Sequence, residues 1–380
     1  MFTTVIIQAS PERSPYIRAL SADTGLLQLV REFPSVPGHY ELTRIVNASA
    51  PDLVLIDVGS GDVALRCCAT IRDLDPEMPV LALACPPGLM QKAKDAGFTA
   101  VLPESFTTAD LAEAIHTSLV SMRGGVEDYV FSFLPSKAGS GASTVVLNTA
   151  MALARDHGKR VLVIDADLRS SVLGILLDVK PTISIQHLLT STNDIDQFRL
   201  RSAAVTVDGV DFLLSSRSLD TVQPEWPNYF QLLEFVRDKY DTILVDLPEL
   251  VNPATIELVR RSRKVYMVCT TEVPSLRLTQ QRAEELHRWG LPPTRYGLLV
   301  NRWHNGDPSS PEIAKILGLP VLRQLPNDYA TIRKTQTEGR FVPVNTRLGK
   351  AFADFASVLA GDASVPLPKP TSRLMSLFGR

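Results

Sequence analysis

Phe131-Ser-Phe-Leu-Pro-Ser-Lys137-Ala138-Gly139-Ser140-Gly141-Ala142-Ser143-Thr144 is the stretch on which the fold turns. An apolar run from Val130 to Leu134 leads into small residues, and Val145-Val-Leu-Asn-Thr-Ala-Met-Ala-Leu153 follows with helical spacing. Strand, glycine-rich turn and helix together aim backbone N–H groups and a helix N-terminus at a phosphate. The stretch departs twice from the usual phosphate-loop spelling, G-x-x-x-x-G-K-S/T. Ser136 stands at the first glycine and Ala142 at the lysine, while Lys137 sits early in the turn. A Gly/Ser connection with no ligand is the other reading of these residues.

Downstream, Arg160-Val-Leu-Val-Ile-Asp165-Ala-Asp167 places two carboxylates at a strand end beside the loop. A distance of roughly twenty residues suits a β-α-β unit. A strand closed by a solvated acidic turn is the alternative. Residues 169–209 are mixed, with helical spacing at 173–177 and 185–189 around Pro181. Val210-Asp-Phe-Leu-Leu214 reads as a strand, and helical spacing from Phe230 precedes the strand Tyr240-Asp-Thr-Ile-Leu-Val-Asp246-Leu-Pro248. Val265-Tyr-Met-Val-Cys269 predicts a buried strand, followed by a helix over 275–289 whose mixed charges mark a solvated face. Arg295-Tyr-Gly-Leu-Leu-Val-Asn301-Arg302 ends a strand in asparagine, a common turn former. A short helix over 312–318 and a last strand over 319–325 lead into Pro326-Asn327-Asp-Tyr329.

Lys137-Ala-Gly-Ser-Gly-Ala-Ser143 resembles the deviant loop K-G-G-x-G-K-T of the MinD/ParA branch of P-loop ATPases, with Ala138 for a glycine and Ala142 for the second lysine. The resemblance implies an ATP and Mg²⁺ site in which Ala138, Gly139, Ser140, Gly141, Ala142, Ser143 and Thr144 hold phosphate. It implies that Lys137 reaches across a homodimer to the partner's nucleotide, and that the second lysine's contact with the β- and γ-phosphates is lost. By the same resemblance Asp165 holds Mg²⁺ through water, Ser143 and Asp246 join the metal shell, and Asp167 orients the attacking water. Asn301 hydrogen-bonds adenine, with Arg302, Pro326 and Asn327 beside it. The family has a glycine shortly after the proline of this switch; here Glu249 and Leu250 stand instead.

Residues 1–122 alternate strands with helices. The runs Thr4-Val-Ile-Ile-Gln8, Asp52-Leu-Val-Leu-Ile-Asp57, Pro79-Val-Leu-Ala-Leu-Ala84 and Ala100-Val-Leu102 suit parallel strands covered on both faces. Helical patterns lie at 63–74 and 89–96, the second stopped by Gly97. This is a flavodoxin-like layout. Pro51-Asp-Leu-Val-Leu-Ile-Asp57 resembles the response-regulator receiver strand that ends in the phosphoacceptor, making Asp57 a vestigial phosphoacceptor candidate. Its partners are absent: Gln8-Ala9-Ser10 replace the metal-holding acids, Ala84 a Thr/Ser, and Glu104 the lysine. The expectation is a degenerate receiver that binds a partner or itself, with a working phosphorelay regulator as the alternative.

The expected architecture is α/β: a flavodoxin-like receiver domain (1–122), a linker (123–128), a P-loop (SIMIBI-type) domain with a mostly parallel sheet (129–361) and a flexible tail (362–380). A degenerate receiver joined to a deviant loop without its second lysine resembles the CpaE/TadZ proteins, as does the segment from Pro326 to Gly339. That resemblance implies a weak ATPase that places Tad-type (Flp) pilus assembly machinery at a cell pole, with pilus and secretion assembly proteins as partners. A scaffold without nucleotide and a ParA-like DNA-partitioning ATPase are the competing classes. A formal net charge of -2 supplies no overall basic field to drive non-specific DNA binding, no specific nucleic-acid partner is expected, and Arg260-Arg261-Ser-Arg263-Lys264 is a short cluster at a helix end. The four cysteines fit neither a zinc site nor a disulfide framework, which predicts buried thiols in a reducing cytosol. The first residues read as a strand rather than a signal peptide, and no apolar run reaches spanning length, so the expected location is cytoplasmic. The end, Ser372-Arg-Leu-Met-Ser-Leu-Phe-Gly-Arg380, resembles the membrane tip of MinD and implies at most a weak, reversible membrane contact. A frayed terminus is the plainer reading.

Overall fold

The computed structural model describes residues 2–7, 12–46, 50–122, 127–190, 195–216 and 223–361. The chain divides into two units, Met1–Gly125 and Val126–Arg380. Each is built on its own sheet.

The first unit has five parallel strands: β1 (Phe2–Ile7), β2 (Leu27–Phe33), β3 (Leu53–Asp57), β4 (Val80–Cys85) and β5 (Ala100–Pro103). Their order is β2-β1-β3-β4-β5, the flavodoxin-like arrangement. Every residue of β3 and β4 is buried, which is why both are unbroken apolar runs in the sequence. The strand β2 goes unpredicted because it lies at the edge. Only Leu27 and Phe33 are buried, and residues 28–31 face solvent. Its strand character comes from pairing along β1 rather than from its own pattern. The helix Asp62–Leu74 buries Ala64, Cys67, Cys68 and Ile71, one face of a helical period. Burial pushes the Cys67 and Cys68 thiols up to about 12, and all four cysteines are free and buried.

The second unit has eight strands: β6 (Glu127–Pro135), β7 (Val161–Asp165), β8 (Ala204–Val207), β9 (Val210–Leu213), β10 (Thr242–Asp246), β11 (Ser262–Cys269), β12 (Tyr296–Trp303) and β13 (Val321–Pro326). The order is β13-β12-β11-β6-β10-β7-β9-β8, parallel except for the antiparallel β8–β9 edge. The strand β6 starts at Glu127, inside the stretch expected to be a linker. The helix Gln197–Ala203 and β8 lie in the stretch that reads as mixed from sequence. The helix Arg347–Leu359 buries Leu348, Phe352, Phe355, Ala356 and Leu359 and packs on the helix Ala142–His157. Phe355 meets Tyr266 of β11 edge-on at 5.0 Å, and Tyr266 stacks on Phe133 of β6 at 5.4 Å. These rings anchor β6 just before its loop, each contact adding about 1 kcal/mol to the area it buries. With β6, β7, β10, β11, β12 and β13 all parallel, their C-terminal ends open on one edge, where ligands of such sheets bind.

Candidate functional site

From Pro135 the chain turns through residues 136–141 into the helix Ala142–His157. Ser136, in place of a glycine, is a tether. Its N–H donates to Val268 O of β11 at 2.9 Å, and its hydroxyl bonds that of Ser275 at 2.9 Å. Gly139 and Gly141 have φ of 78° and 95°, which side-chain-bearing residues rarely adopt. At Gly141 a Cβ would also lie 2.4 Å from Asn301 Nδ2. That close approach exists because Asn301 Nδ2 donates to Ser140 O at 2.9 Å, while its Oδ1 accepts from Arg302 N at 3.0 Å. Asn301 therefore clamps the loop, and an amide of its kind has one N–H and one lone pair left for a ligand. Arg302, at a left-handed φ of 56°, lines the same cavity as the loop. Asn327 N–H donates to Trp303 O at 2.9 Å, which brings Pro326 and Asn327 to this sheet end. Among the described residues they stand outside the cavity lining.

The acids sit deeper. Asp246 and Asp165 are paired across β10 and β7 and are 2% and 0% exposed. Asp165 Oδ2 accepts from Ser171 Oγ at 2.6 Å and Ser215 N at 2.9 Å, and Asp246 accepts from the Ser143 hydroxyl. Among the described residues Asp165 Oδ1 and Asp246 Oδ2 have no hydrogen-bond partner. Burial pushes Asp165 up to about 7 against the pull of Ser171 and Ser215. Burial, and then the charge of Asp165, holds Asp246 well above the usual carboxylate range. Two adjacent buried carboxylates, each with an unpaired oxygen, are costly unless a cation is shared between them. That donor set, two carboxylates and a serine hydroxyl beside a phosphate loop, fits Mg²⁺, which keeps most of its shell for water and phosphate oxygens. Asp167 is half-buried, caps its own turn through Ser170 N at 2.9 Å, and lines the cavity.

The cavity holds about 1040 Å³ and runs from the loop past Asp167 to Trp226, Tyr229 and Leu250. Ala142 opens the helix and is 5% exposed, so no side-chain charge stands at the loop centre. Lys137 Nζ lies 3.4 Å from Glu272 of its own chain. Ala138 N–H donates to Glu249 Oε2 at 2.9 Å, and Glu249 Oε1 accepts from Arg282 Nη2 at 3.3 Å. From sequence Glu249 shows only as a departure from glycine. Nothing in its neighbours signals a contact with a residue 111 positions away. Ser171 and Ser215, which orient Asp165, carry no sequence signal either.

In the first unit, Asp57 ends β3 fully buried. Its Oδ1 accepts from Gly59 N at 2.9 Å and lies 3.4 Å from Arg13 Nη1, a partner absent from the sequence reading. Gln8, Ala9 and Ser10 lie outside the described residues. A guanidinium beside a buried carboxylate offsets its charge without a metal. Incubation with acetyl phosphate and Mg²⁺ is therefore expected to leave Asp57 unmodified on a phosphate-affinity gel. A retarded band lost in Asp57→Asn would contradict this.

The basic cluster is split: Arg261 is buried, Arg260 and Lys264 are half-buried and Arg263 is exposed. Arg261 is 0% exposed, pairs with Glu234 and sits over the Phe230 ring at 5.0 Å. Lys264 donates to Thr294 O at 2.7 Å. A phosphate backbone would meet a short cluster whose central arginine is buried.

Residues 129–283 match the family model described as an AAA domain. Together with the sheet order and the loop, this makes the C-terminal part of the chain similar to MinD/ParA-type P-loop ATPases, and an N-terminal parallel α/β domain precedes it. The chain is 28% identical over 258 residues to a putative septum site-determining protein MinD of Oltmannsiellopsis viridis, covering 64% of this chain and 79% of that protein. It is 25% identical over 251 residues to the antiactivator FleN of Pseudomonas aeruginosa, covering 63% and 88%. In fold it is similar to a ParA family ATPase from Chlorobium tepidum (TM-score 0.57, 23% identity, 60% of this chain and 98% of that one). The MinD of the Aquifex aeolicus MinC:MinD cell division complex is similar at TM-score 0.53 and 22% identity, over 63% and 98%. Among the described residues no helix is long and apolar enough to cross a membrane.

Proposed function

We propose that this chain binds Mg-ATP at the loop after β6, uses it chiefly to bring two copies face to face, and hydrolyses it slowly. We propose further that the dimer positions Tad-type pilus assembly machinery at a cell pole, in the cytoplasm or at the inner membrane surface, with the receiver-like unit as the element that binds partners. The observation that carries the nucleotide half is the buried pair Asp165 and Asp246, each with an unpaired oxygen, beside a helix N-terminus and a loop turned by two glycines. The pilus half rests on the likeness to the CpaE/TadZ proteins. The tail that would touch membrane lies outside the described residues.

Bound Mg-ATP would supply a transferable phosphoryl group whose charge the metal offsets. The protein's part is to hold and orient. Loop N–H groups and the helix N-terminus bind phosphate oxygens. Ser143, Asp165 and Asp246 hold the metal, and Asp167 accepts a hydrogen bond from water. With Ala142 at the loop centre, the cation for the transition state has to come from elsewhere, and Lys137 of a second copy is the residue for it. Exposed apolar residues on the loop side support a covered face: Val172 and Leu250 line the cavity, and Val273 follows the lysine's partner Glu272.

Molar mass by light scattering tests this. The native chain is expected to double in mass with Mg-ATP and to stay monomeric with ADP, and Lys137→Ala is expected to stay monomeric with either. An unchanged mass alongside measurable ATP binding would remove the face-to-face dimer from the account.

A further inference from the structure

We propose that Glu249 selects against the γ-phosphate, so that the site takes a nucleoside diphosphate readily and a triphosphate only when this carboxylate is displaced. The proposal rests on the nucleotide reading above and adds to it a residue that sets which phosphate chain is accepted.

Three observations carry it. First, Glu249 Oε2 takes the N–H of Ala138, a donor of the phosphate-binding turn, at 2.9 Å. A carboxylate on such an N–H satisfies it as a phosphate oxygen would, and the two cannot share it. Second, Glu249 is held there from behind. Its Oε1 accepts from Arg282 Nη2 at 3.3 Å, and Arg282 is 5% exposed, its Nη1 fixed by both oxygens of Glu285 at 2.9 and 2.8 Å. Arg282 keeps Glu285 when Glu249 moves, so displacement strands no buried charge without a counter-ion. Third, the cavity lining carries more acids than cations, Arg169 and Arg302 being its basic residues. Asp165, Asp167 and Asp246 are already gathered at this edge, Ala142 brings no cation, and Lys137 is turned to Glu272.

A γ-phosphate brings about one to two further negative charges into this setting. Like charges a few ångströms apart in a partly buried cleft repel strongly enough to shift affinity by about tenfold. Ala138 begins the loop, four residues before the helix Ala142–His157. On this proposal its N–H serves the end of the phosphate chain, and the helix N-terminus serves the phosphates nearer the nucleoside. The carboxylate thus weighs on the triphosphate and leaves the diphosphate nearly untouched. Its neighbour Leu250 is 64% exposed at the cavity, so a swing of Glu249 toward Arg282 would move an apolar side chain on the loop-side surface. Triphosphate binding and reshaping of that surface are linked through one residue.

Glu249→Gln separates charge from shape, because the amide oxygen still accepts from Ala138 N–H. Dissociation constants for Mg-ADP and Mg-ATP are measured by calorimetry on the full native chain and on Glu249→Gln. The expected result is ATP binding about tenfold tighter in the variant, with ADP binding changed by less than about twofold. Equal tightening for both nucleotides, or no change for either, would overturn the selection role while leaving the nucleotide site standing. Binding of neither nucleotide by the native chain would overturn the site itself, and the selection role with it. Retained ADP binding in the variant also reports that it folds.

Discussion

An Ala142→Lys variant is expected to release phosphate from ATP about a hundredfold faster than the native chain. Residue 142 is the first of the helix Ala142–His157, directly after the left-handed Gly141, and it lines the cavity. Because residue 142 borders the cavity, a lysine there is expected to extend into it. It would place a permanent cation where charge gathers on the oxygens between the transferred group and its leaving group, and one such contact is typically worth about 2.7 to 4 kcal/mol, the lower end being a hundredfold. The native alanine supplies none of this. Steady-state phosphate release at saturating Mg-ATP reads the effect directly. Turnover unchanged within twofold would mean that the missing lysine is not what makes the native chain slow. If the dimer is held together by ATP, the same substitution should shorten its lifetime, because faster hydrolysis removes the ligand that joins the two copies.

Asp246→Asn is expected to have opposite effects on the protein alone and on its nucleotide complex. In the protein alone, Asp246 and Asp165 crowd two carboxylates into a buried edge with an unpaired oxygen on each. Exchanging one for a neutral amide of the same shape removes part of that cost while the side chain can still accept from Ser143. A relief of about 1 to 2 kcal/mol is the usual scale for neutralising a functional site, which raises Tm by about 3 to 6 °C for a domain of this size. With Mg-ATP the order reverses. A ligand at a hundred times its Kd stabilises the folded state by about 2.7 kcal/mol, and the variant, lacking a metal carboxylate, forfeits that gain. Thermal unfolding with and without Mg-ATP reads both arms. A variant less stable than the native chain without nucleotide would show that Asp246 is a structural acid rather than a metal-holding one.

What the sequence disclosed and what it hid separate along a physical line. Inner parallel strands are buried on both faces, so β3, β4, β7 and β10 are continuous apolar runs, and β3, β7 and β10 end in the acids at issue. The loop is legible because its geometry demands glycines at Gly139 and Gly141, and Gly141 has a second reason in the Asn301 clamp. The edge strand β2 is not legible, since an edge needs no apolar run. The contacts that complete the site are likewise hidden. Ser171 and Ser215 on Asp165, Arg13 beside Asp57, and Glu249 on Ala138 N–H all join positions that only the folded topology brings together. Polar residues in connecting segments look alike in sequence whether they face solvent or a buried carboxylate. Asn301 lies between these cases: its place near the end of β12 is readable, although the strand runs on to Trp303, and its bond to the loop carbonyl is not.

The central claim is that the loop after β6 and the acids of β7 and β10 hold a nucleotide with Mg²⁺. Calorimetric titration of ATP into the full chain, once with Mg²⁺ and once with EDTA, tests it most directly. The account predicts one site per chain whose affinity falls by at least about tenfold when the metal is removed, as expected when carboxylate-held Mg²⁺ bridges protein and phosphate. Binding that is indifferent to the metal, or no binding in either solution, would contradict it.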